Sequence, residues 1–245
     1  TLTEYVDVNI KGVFNVLEFC RKRNISRYIY TISHRDIEGH WKNGKLLKAD
    51  LPIKINYEGD HVMYAITKTS AMMMGDYYHY LTGMKVFNLR LPMIFSIPEK
   101  NWYYAHGEKK IIPFLSIIRD AKSGSRLEVW GDKNMKRDYV HMDNLLQMIN
   151  LCLTTELTAG IFNVGTGEAV TTEDFIRAVA EVFSPHGENC EIIYRPHNKT
   201  YKCTSYDIST EHDQLGYDPI YLREMLIRLK DDIIKTNIFK KWDWK

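Results

Sequence analysis

The sequence predicts an α/β protein in which helices cover an open parallel sheet. Segments with helical periodicity alternate along the chain with short β-branched or aromatic runs. The run at 27–33 is short and continuous, as in a strand that is buried on both faces of a parallel sheet. With 44% hydrophobic and 26% charged residues, the 245-residue chain has enough apolar material for one large core or two unequal ones.

The first predicted elements run from residue 5 to residue 81. A helix is predicted over 5–23, because apolar side chains recur at steps of four and three and so share one face. The strand 27–33 and a polar loop, 33–60, follow, and a second helix is predicted over 61–81. Ligands of open parallel sheets bind beyond the carboxyl ends of the strands, so this loop is the first place to look for a site.

The rest of the sequence continues the alternation of strands and helices. The end of the chain, Lys240 to Trp242, is expected to be a loosely held tail. We predict strands at 84–91, 127–130, 161–164 and 191–194, and helices at 112–121, 143–153, 172–183 and 222–234.

Charge, hydropathy and cysteine usage narrow the kinds of partner. The 33 basic and 31 acidic residues give a formal net charge of +2, too small to favour nucleic acid or an anionic membrane. No apolar run approaches the roughly 20 residues that span a bilayer. Four scattered cysteines lack both metal-ligand spacing and a disulfide framework, as in a reducing cytoplasm. We therefore expect a small-molecule ligand, no metal and a cytoplasmic protein.

Tyr64 and Lys68 lie four residues apart in the predicted helix 61–81 and therefore share one face. A neighbouring ammonium favours phenolate over phenol, so Lys68 is expected to lower the pKa of Tyr64 from about 10 toward neutrality. Tyr64 would then be a general acid/base. The alternative is an exposed helical pair, because a chain with sixteen tyrosines contains this spacing about once by chance.

Several short motifs follow one another in order along nearly the whole chain. They are Asn9-x-x-Gly12, Tyr28-Ile-Tyr-Thr-Ile-Ser33, Tyr64-x-x-x-Lys68, a strand ending in Arg90, Gly131-Asp-x-x-x-x-Arg137-Asp-Tyr-Val-His141-x-Asp143, Phe162-Asn-Val-Gly-Thr-Gly167 and Asp207-Ile-Ser-x-x-x-x-x-Leu215-Gly-Tyr-x-Pro219. In this order the motifs resemble those of extended short-chain dehydrogenases/reductases, the NAD-dependent epimerase/dehydratase family that acts on nucleotide-linked sugars.

The resemblance implies the carboxy-terminal part of a Rossmann-like doubly wound parallel sheet, joined to a smaller α/β substrate-binding domain. Residues 1–95 would belong to the sheet domain, segments around 132–165 would return to it, and 96–245 would mainly bind substrate. Family members begin with a glycine-rich strand and helix that cradle the cofactor pyrophosphate. We expect that part upstream of Thr1, where the residues that distinguish NAD from NADP would also lie, so NAD is expected and NADP is left open.

By resemblance, a small group of residues would carry out or support proton transfer. Tyr64 would act on a sugar hydroxyl, while Lys68 would tune it and hold the nicotinamide ribose. Ser33 or His34 would polarise the same oxygen; His34 stands where the family usually has serine or threonine, and a histidine can donate a hydrogen bond or exchange a proton near neutral pH. Asn9 would brace the backbone of the site, the alternative being a local hydrogen bond.

Cofactor and substrate contacts are implied around the end of the next strand. The nicotinamide would lie against the loop after Arg90, with Leu91 and Pro92. Met93 stands where the family more often has asparagine, and Asp36 could act as a base, so both are expected at the substrate.

Arg137 matches the arginine with which the family pairs the substrate diphosphate, a task suited to a planar and permanently charged fork. The alternative is a salt bridge with Asp138 or Asp143. The two hypotheses differ in whether the guanidinium is free to meet a ligand.

These expectations describe an NAD(P)-dependent epimerase or dehydratase of a nucleotide-linked sugar. Sugar 4,6-dehydratases of the family have an Asp-Glu pair where this chain has Arg35-Asp36, which favours epimerisation over dehydration. The departures at His34, Arg35 and Met93 leave a second hypothesis, a non-catalytic family member or a truncated fragment that keeps the fold for ligand binding or assembly.

The helices 5–23 and 61–81 resemble those with which the family forms a dimeric four-helix bundle. Both are apolar on more than one side. A homodimer is therefore expected, the alternative being that an upstream part of the protein covers these faces.

Overall fold

Helices and strands alternate along the computed structural model, which describes residues 1–59, 61–105, 107–242 and 244. Asp60, the last residue of the predicted loop 33–60, lies outside the described residues. The helices are α1 (Leu2–Val6), α2 (Val13–Lys22), α3 (Val62–Thr82), α4 (Pro113–Lys122), α5 (Met142–Thr154), α6 (Thr172–Phe183), α7 (Ser209–Leu215), α8 (Leu222–Thr236) and α9 (Ile238–Lys241). The strands are β1 (Arg27–Ser33), β2 (Leu46–Leu47), β3 (Lys85–Leu91), β4 (Ile94–Phe95), β5 (Trp102–Ala105), β6 (Glu108–Ile111), β7 (Leu127–Trp130), β8 (Lys136–Arg137), β9 (Val140–His141), β10 (Ala159–Asn163), β11 (Val170–Thr171), β12 (Ile192–Arg195) and β13 (Ser205–Tyr206).

Three parallel strands form the main sheet, in the order β1–β3–β10. Because the strands run in the same direction, their carboxyl ends meet at one edge. At this edge Ser33 lies opposite Leu91, and Asn163 lies opposite Arg90. The predicted α/β class with a parallel sheet is confirmed, and the predicted strand 27–33 has the bounds of β1.

Helix α3 covers one face of this sheet through small residues. Tyr28 and Tyr30 of β1 stack on each other beneath the helix, with ring centroids 6.0 Å apart. Ala71 packs with Tyr30 in one buried cluster, and a Cβ atom at Gly75 would contact the Tyr28 ring. Small side chains on the helix thus make room for large rings on the strand, which lets the helix approach closely. The packing places the first turns of α3 near the carboxyl end of β1.

Helix α5 covers the opposite face. Phe87 and Leu89 of β3 pack with Cys152 of α5 in a second buried cluster. Arg27, the first residue of β1, donates hydrogen bonds to the carbonyl oxygens of Cys152 and Thr155. A cation is favourable there, because the last carbonyls of a helix lack partners and carry partial negative charge.

A further core is built by later parts of the chain. Strands β7 and β12 pair in parallel, and α4, α6 and α8 pack around them. Its buried side chains include Ile118, Val129, Val179, Met225 and Leu229. Helix α5 and strand β10 instead join the main sheet. The division into a sheet domain and a substrate-binding domain stays a prediction.

Some local features differ from the sequence predictions. The predicted helix 5–23 contains a π-helical stretch, Asp7–Gly12, between α1 and α2, a change of period that apolar spacing does not reveal. The expectation of a loose tail is wrong. Trp242 is 9% exposed, and its Nε1 donates to the carbonyl oxygen of Glu99 at 2.9 Å. Among the described helices, none has the length and apolar character needed to cross a membrane.

Glu211 of α7 is a fully buried carboxyl group next to β10. Its Oε1 accepts a hydrogen bond of 2.5 Å from the backbone N–H of Asn163, whereas Oε2 has no partner among the described residues. Burial, partly offset by that N–H, raises the pKa of Glu211 from 4.5 to about 7. The carboxyl group therefore keeps a proton in the folded protein at a pH where the unfolded chain has lost it.

We expect Glu211→Gln to change how stability depends on pH. Because the folded state binds the proton more tightly, the contribution of Glu211 to the free energy of unfolding falls as pH rises from about 4.5 to about 7. Glutamine keeps the acceptor for Asn163 but has no proton to lose. Denaturant unfolding at about pH 5 and about pH 8 measures this change. Between these two pH values the free energy of unfolding of the variant should rise by about 2 kcal/mol relative to that of wild type.

Glu156→Gln is the control, because it neutralises an exposed carboxylate, which is 98% accessible in its side chain. Its stability should follow that of wild type at both pH values. A Glu211→Gln variant whose curve also runs parallel to wild type would contradict the assigned protonation.

Candidate active site

Tyr64 and Lys68 project from the first turns of α3, near the carboxyl edge of the sheet. Both side chains are half-buried. The Tyr64 ring lies 5.9 Å from the ring of Tyr5, and the Lys68 Nζ lies 4.2 Å from the ring centroid of Tyr30. Burial lowers the pKa of Lys68 from 10.5 to about 8. The pair is therefore not the exposed helical pair that was the alternative hypothesis.

Asn9 connects this part of α3 to the π-helical stretch. Its Nδ2 donates to the Oγ1 of Thr67 at 2.9 Å, and the Thr67 hydroxyl donates in turn to the carbonyl oxygen of Met63. Thr67 lies between Tyr64 and Lys68 in the sequence. The hydrogen bond of Asn9 is long-range rather than local, and it fixes the turn of α3 that carries both side chains.

Ser33 ends β1 and begins the 3₁₀ helix His34–His40. The side chain is buried, and its Oγ accepts a hydrogen bond of 3.3 Å from the backbone N–H of Arg35. Ser33 thus acts as a helix cap, which occupies one lone pair of the hydroxyl and leaves the O–H group able to donate.

His34 is the first residue of that 3₁₀ helix and lies close to the start of α3. Its ring meets the ring of Trp41 edge-on, with centroids 4.8 Å apart, and its Nδ1 has no partner among the described residues. Burial, together with the nearby cations of Arg35 and Arg90, lowers the pKa of His34 from 6.5 to about 3. At neutral pH the ring is uncharged, with one nitrogen that donates and one that accepts.

Asp36 and Arg90 form a buried ion pair rather than ligand contacts. Asp36 is 2% exposed and Arg90 is 0% exposed, and the Asp36 carboxylate accepts hydrogen bonds of 2.9 to 3.1 Å from the guanidinium. The remaining Arg90 donors bind the carbonyl oxygen of Ala49 and the Oδ1 of Asn163. Neither side chain reaches a surface, so their expected contacts with substrate and cofactor are not supported.

The segment after Arg90 lies beside the end of β1. Leu91 is opposite Ser33 and is partly buried in the core of the sheet. Pro92 is half-buried, and Met93 is 59% exposed. The structure therefore brings Leu91 and Pro92 to the same edge as Ser33, with Met93 facing solvent.

Arg137 of β8 has a guanidinium without a carboxylate partner among the described residues. Its Nε is buried and unpaired, and its Cζ lies 5.7 Å from the centroid of the Tyr139 ring. The Asp138 carboxylate instead accepts hydrogen bonds from the backbone N–H and the hydroxyl of Thr166. Asp143 pairs with Arg228. The salt-bridge alternative for Arg137 is thus not found, and its charge remains available to an anion.

Two aromatic residues that sequence reasoning did not select belong to this region. Tyr30 lies beneath the Lys68 ammonium, and Trp41 packs against His34 and beneath the guanidinium of Arg35, which is 5.2 Å from the Trp41 ring. The alternation of Tyr28 and Tyr30 on one face of a predicted strand was the available signal for the first. No local pattern marks Trp41.

The edge of the sheet therefore carries groups that suit proton transfer. On α3 a phenol lies one helical turn from a partly desolvated ammonium. The end of β1 carries a hydroxyl, and the residue after it is an uncharged imidazole. Such a phenol and ammonium can exchange a proton with a bound hydroxyl group. An unpaired guanidinium supplies permanent positive charge for phosphate or carboxylate.

Comparisons with known proteins point to one family. A model described as the NAD dependent epimerase/dehydratase family matches residues 1–165. An uncharacterized protein of Methanocaldococcus jannaschii is 24% identical over 221 residues, covering 88% of this chain and 61% of that protein. UDP-glucuronate 4-epimerase 4 of Arabidopsis thaliana is 23% identical over 235 residues, covering 89% of this chain and 50% of that protein. The chain thus spans about 50–61% of the length of these relatives.

Solved structures share the fold over nearly the whole chain. UDP-glucose 4-epimerase of Thermotoga maritima, in a complex with UDP-glucose, has a TM-score of 0.76 at 21% identity, covering 97% of this chain and 72% of that one. UDP-glucuronic acid 4-epimerase of Bacillus cereus, in a complex with NAD, has a TM-score of 0.69 at 21% identity, covering 96% and 70%. These likenesses show a common fold.

We expect Asp36→Asn to destabilise the protein by about 3–5 kcal/mol, because it leaves the buried Arg90 charge without its counter-ion. Denaturant unfolding measures the change. Glu181→Gln removes a partner from an exposed pair with Arg223 and should cost less than about 1 kcal/mol. Equal effects of the two substitutions would contradict the structural role of the buried pair.

Proposed function

Since the chain belongs to the NAD-dependent epimerase/dehydratase family, as an extended short-chain dehydrogenase/reductase, we propose that it is part of an NAD(P)-dependent enzyme acting on a nucleotide-linked sugar. We propose transient oxidation and reduction of one sugar carbon, with epimerisation favoured over 4,6-dehydration. The single observation that carries the proposal is the position of Tyr64 and Lys68. They stand one turn apart on α3, half-buried, at the edge where the strands of the sheet end.

The residues at this edge fit a dinucleotide. The Lys68 ammonium has lost much of its hydration, and no hydrogen bond or ion pair engages it within the described part of the chain. Its N–H groups can therefore bind ribose hydroxyls, and Leu91 and Pro92 offer apolar surface for a nicotinamide ring. NAD supplies, when bound, the acceptance and return of a hydride. The Bacillus cereus neighbour in a complex with NAD supports this choice of cofactor, and NADP is left open.

Tyr64 would take the proton of the sugar hydroxyl during oxidation and give it back during reduction. Lys68 would stabilise the negative charge that develops on the phenol oxygen of Tyr64, because a nearby positive charge favours the ionised form of a phenol. Ser33 or His34 would donate a hydrogen bond to the same sugar oxygen. His34 would do so as a neutral imidazole, since burial keeps it uncharged near pH 7.

Arg137 would bind the diphosphate of the substrate. Its guanidinium is not paired with a carboxylate among the described residues, and it can offer two parallel donors to a phosphate. Met93, exposed just beyond the cofactor segment, would contact the sugar or its nucleotide. We leave the side chains of Asp36 and Arg90 out of the proposed site, because they bind each other.

Epimerisation is favoured over dehydration by the segment after β1. Elimination of water needs a free acid and base near the sugar. The Asp36 carboxylate is bound to Arg90, and Arg35 pairs with Glu38 at 2.8 Å. The 3₁₀ helix His34–His40 therefore presents no uncommitted carboxylate that could take part in elimination.

The second hypothesis, a non-catalytic family member, is motivated by His34, Arg35 and Met93, which depart from the residues that the family usually carries. It predicts cofactor or nucleotide binding without turnover. The chain's length, well below that of its relatives, makes the full-length protein the proper sample for the test.

We propose in addition that the protein is a cytoplasmic homodimer that pairs through α2 and α3. These helices share a groove of about 440 Å³ that is open to solvent. The exposed apolar residues here include Phe14, Phe19, Met73 and Tyr77. Contiguous apolar surface of this kind marks an interaction site, and two copies that meet through paired helices would bury it in a four-helix bundle.

Tyr64→Phe should reduce turnover about 10²- to 10⁴-fold while leaving the fold intact, because it removes only the oxygen that moves the proton. The measurement is conversion of UDP-glucose, UDP-glucuronate, UDP-N-acetylglucosamine and dTDP-glucose by the full-length protein with NAD. The products are identified as epimers or dehydrated sugars. Tyr80→Phe removes an exposed phenol of the same helix, 85% accessible, and should leave turnover unchanged. Unchanged turnover in the Tyr64→Phe variant would overturn the assignment.

Met73→Lys should shift the protein from dimer to monomer, because it places a charge in the apolar face of α3. Light scattering during size-exclusion chromatography reads the mass. Ile234→Lys changes an exposed apolar residue of α8 and should leave the dimer intact. A wild-type protein that is monomeric at micromolar concentration would contradict the proposal.

A further inference from the structure

The Lys68 ammonium lies over the face of the Tyr30 ring, 4.2 Å from its centroid. This is a closer contact than the 5.0 Å between Lys199 and the ring of Tyr201 at the protein surface. Tyr30 is also buried. The negative face of an aromatic ring attracts a cation, and the attraction is larger when water is excluded. The cation–π contact between Lys68 and Tyr30 is therefore stronger than an exposed one such as that between Lys199 and Tyr201.

The Tyr30 ring is fixed by its surroundings. It belongs to a strand that pairs with β3, it stacks on Tyr28, and it packs against Ala71 and Met72 of α3. A ring held on three sides cannot turn away from the ammonium without opening the core. The position of the cation is thus coupled to the packing of the helix on the sheet.

Two effects act on the Lys68 charge in opposite directions. Burial disfavours the ammonium and lowers the pKa of Lys68 to about 8. The ring face favours the ammonium, because only the charged form is attracted to it. A lysine with the same burial but without the ring would lose its proton at a lower pH.

We propose that Tyr30 is a positioning residue, whose ring face holds Lys68 in its charged form beside Tyr64. This inference rests on the proposed function, in which the Lys68 cation supports proton transfer at Tyr64. The ring carries the effect rather than the hydroxyl, since the Tyr30 hydroxyl is buried without a hydrogen-bond partner among the described residues. One side of the ammonium lies against the ring, so the N–H groups on its other sides stay available for a ribose.

The test measures the protonation of Lys68 directly in the full-length protein, without cofactor or substrate. A trace amount of an amine-acetylating reagent labels the neutral amine at a series of pH values, and mass spectrometry reads the Lys68 peptide relative to the exposed Lys48. Wild type should show a midpoint at about pH 8. Tyr30→Phe keeps the ring face and should keep this midpoint. Tyr30→Leu removes the ring face and should lower the midpoint by about one pH unit.

A second variant covers the case in which Tyr30→Leu does not fold. A phenylalanine at position 30 that is fluorinated at three ring carbons keeps nearly the same shape but has a much weaker negative face. Its midpoint should also fall below that of Tyr30→Phe. Midpoints that stay at the wild-type value in the Leu and the fluorinated variants would overturn the proposal.

Turnover provides a separate readout. The pH dependence of kcat/KM is measured on the nucleotide sugar that the wild-type enzyme converts. For Tyr30→Leu its alkaline limb should move to lower pH by the same amount as the labelling midpoint. For Tyr30→Phe the alkaline limb should stay at its wild-type position. A midpoint that moves without any movement of the alkaline limb would overturn the positioning role. Failure of the proposed function is distinguishable, because it appears as absent turnover in wild type and leaves the labelling result unaffected.

Discussion

The guanidinium of Arg90 holds the carboxyl edge of the sheet together. It is fully buried, and its donors are divided among the Asp36 carboxylate, the Ala49 carbonyl oxygen and the Asn163 side chain. Five N–H donors in one rigid plane allow a single side chain to fix three segments relative to β3. An unpaired cation in the interior is very costly, so the segment after β1 must fold back over the end of β3 to supply the carboxylate.

That ion pair decides which charges remain at the candidate site. Asp36 neutralises Arg90, and burial leaves His34 uncharged near neutral pH. Lys68 and Arg137 are then cations without a carboxylate partner in the described part of the chain. They differ in kind, because the guanidinium is permanently charged whereas the half-buried ammonium has a pKa of about 8. Arg137 therefore suits the binding of an anion, and Lys68 suits the support of proton transfer.

The regular elements could be predicted from the sequence, whereas the long-range polar contacts could not. Strand 27–33 was predicted to the residue, because a continuous β-branched and aromatic run has few other solutions. Arg90 was expected at the cofactor and Asp36 at the substrate. Their pairing joins positions 54 residues apart, and no local pattern records it. The buried Trp242 was missed for the same reason, since its partner, Glu99, lies 143 residues earlier.

In the candidate site, the spacing of two residues could be predicted from the sequence, but their surroundings could not. The spacing of Tyr64 and Lys68 was readable because both lie on one helix, but their surroundings depend on how that helix meets β1. Small residues such as Ala71 let α3 approach closely enough for Lys68 to reach the Tyr30 ring. A larger side chain at Ala71 would lift the helix away and return the ammonium to water. The packing that seats the helix therefore also sets the charge of the lysine, so core and chemistry share the same aromatic ring.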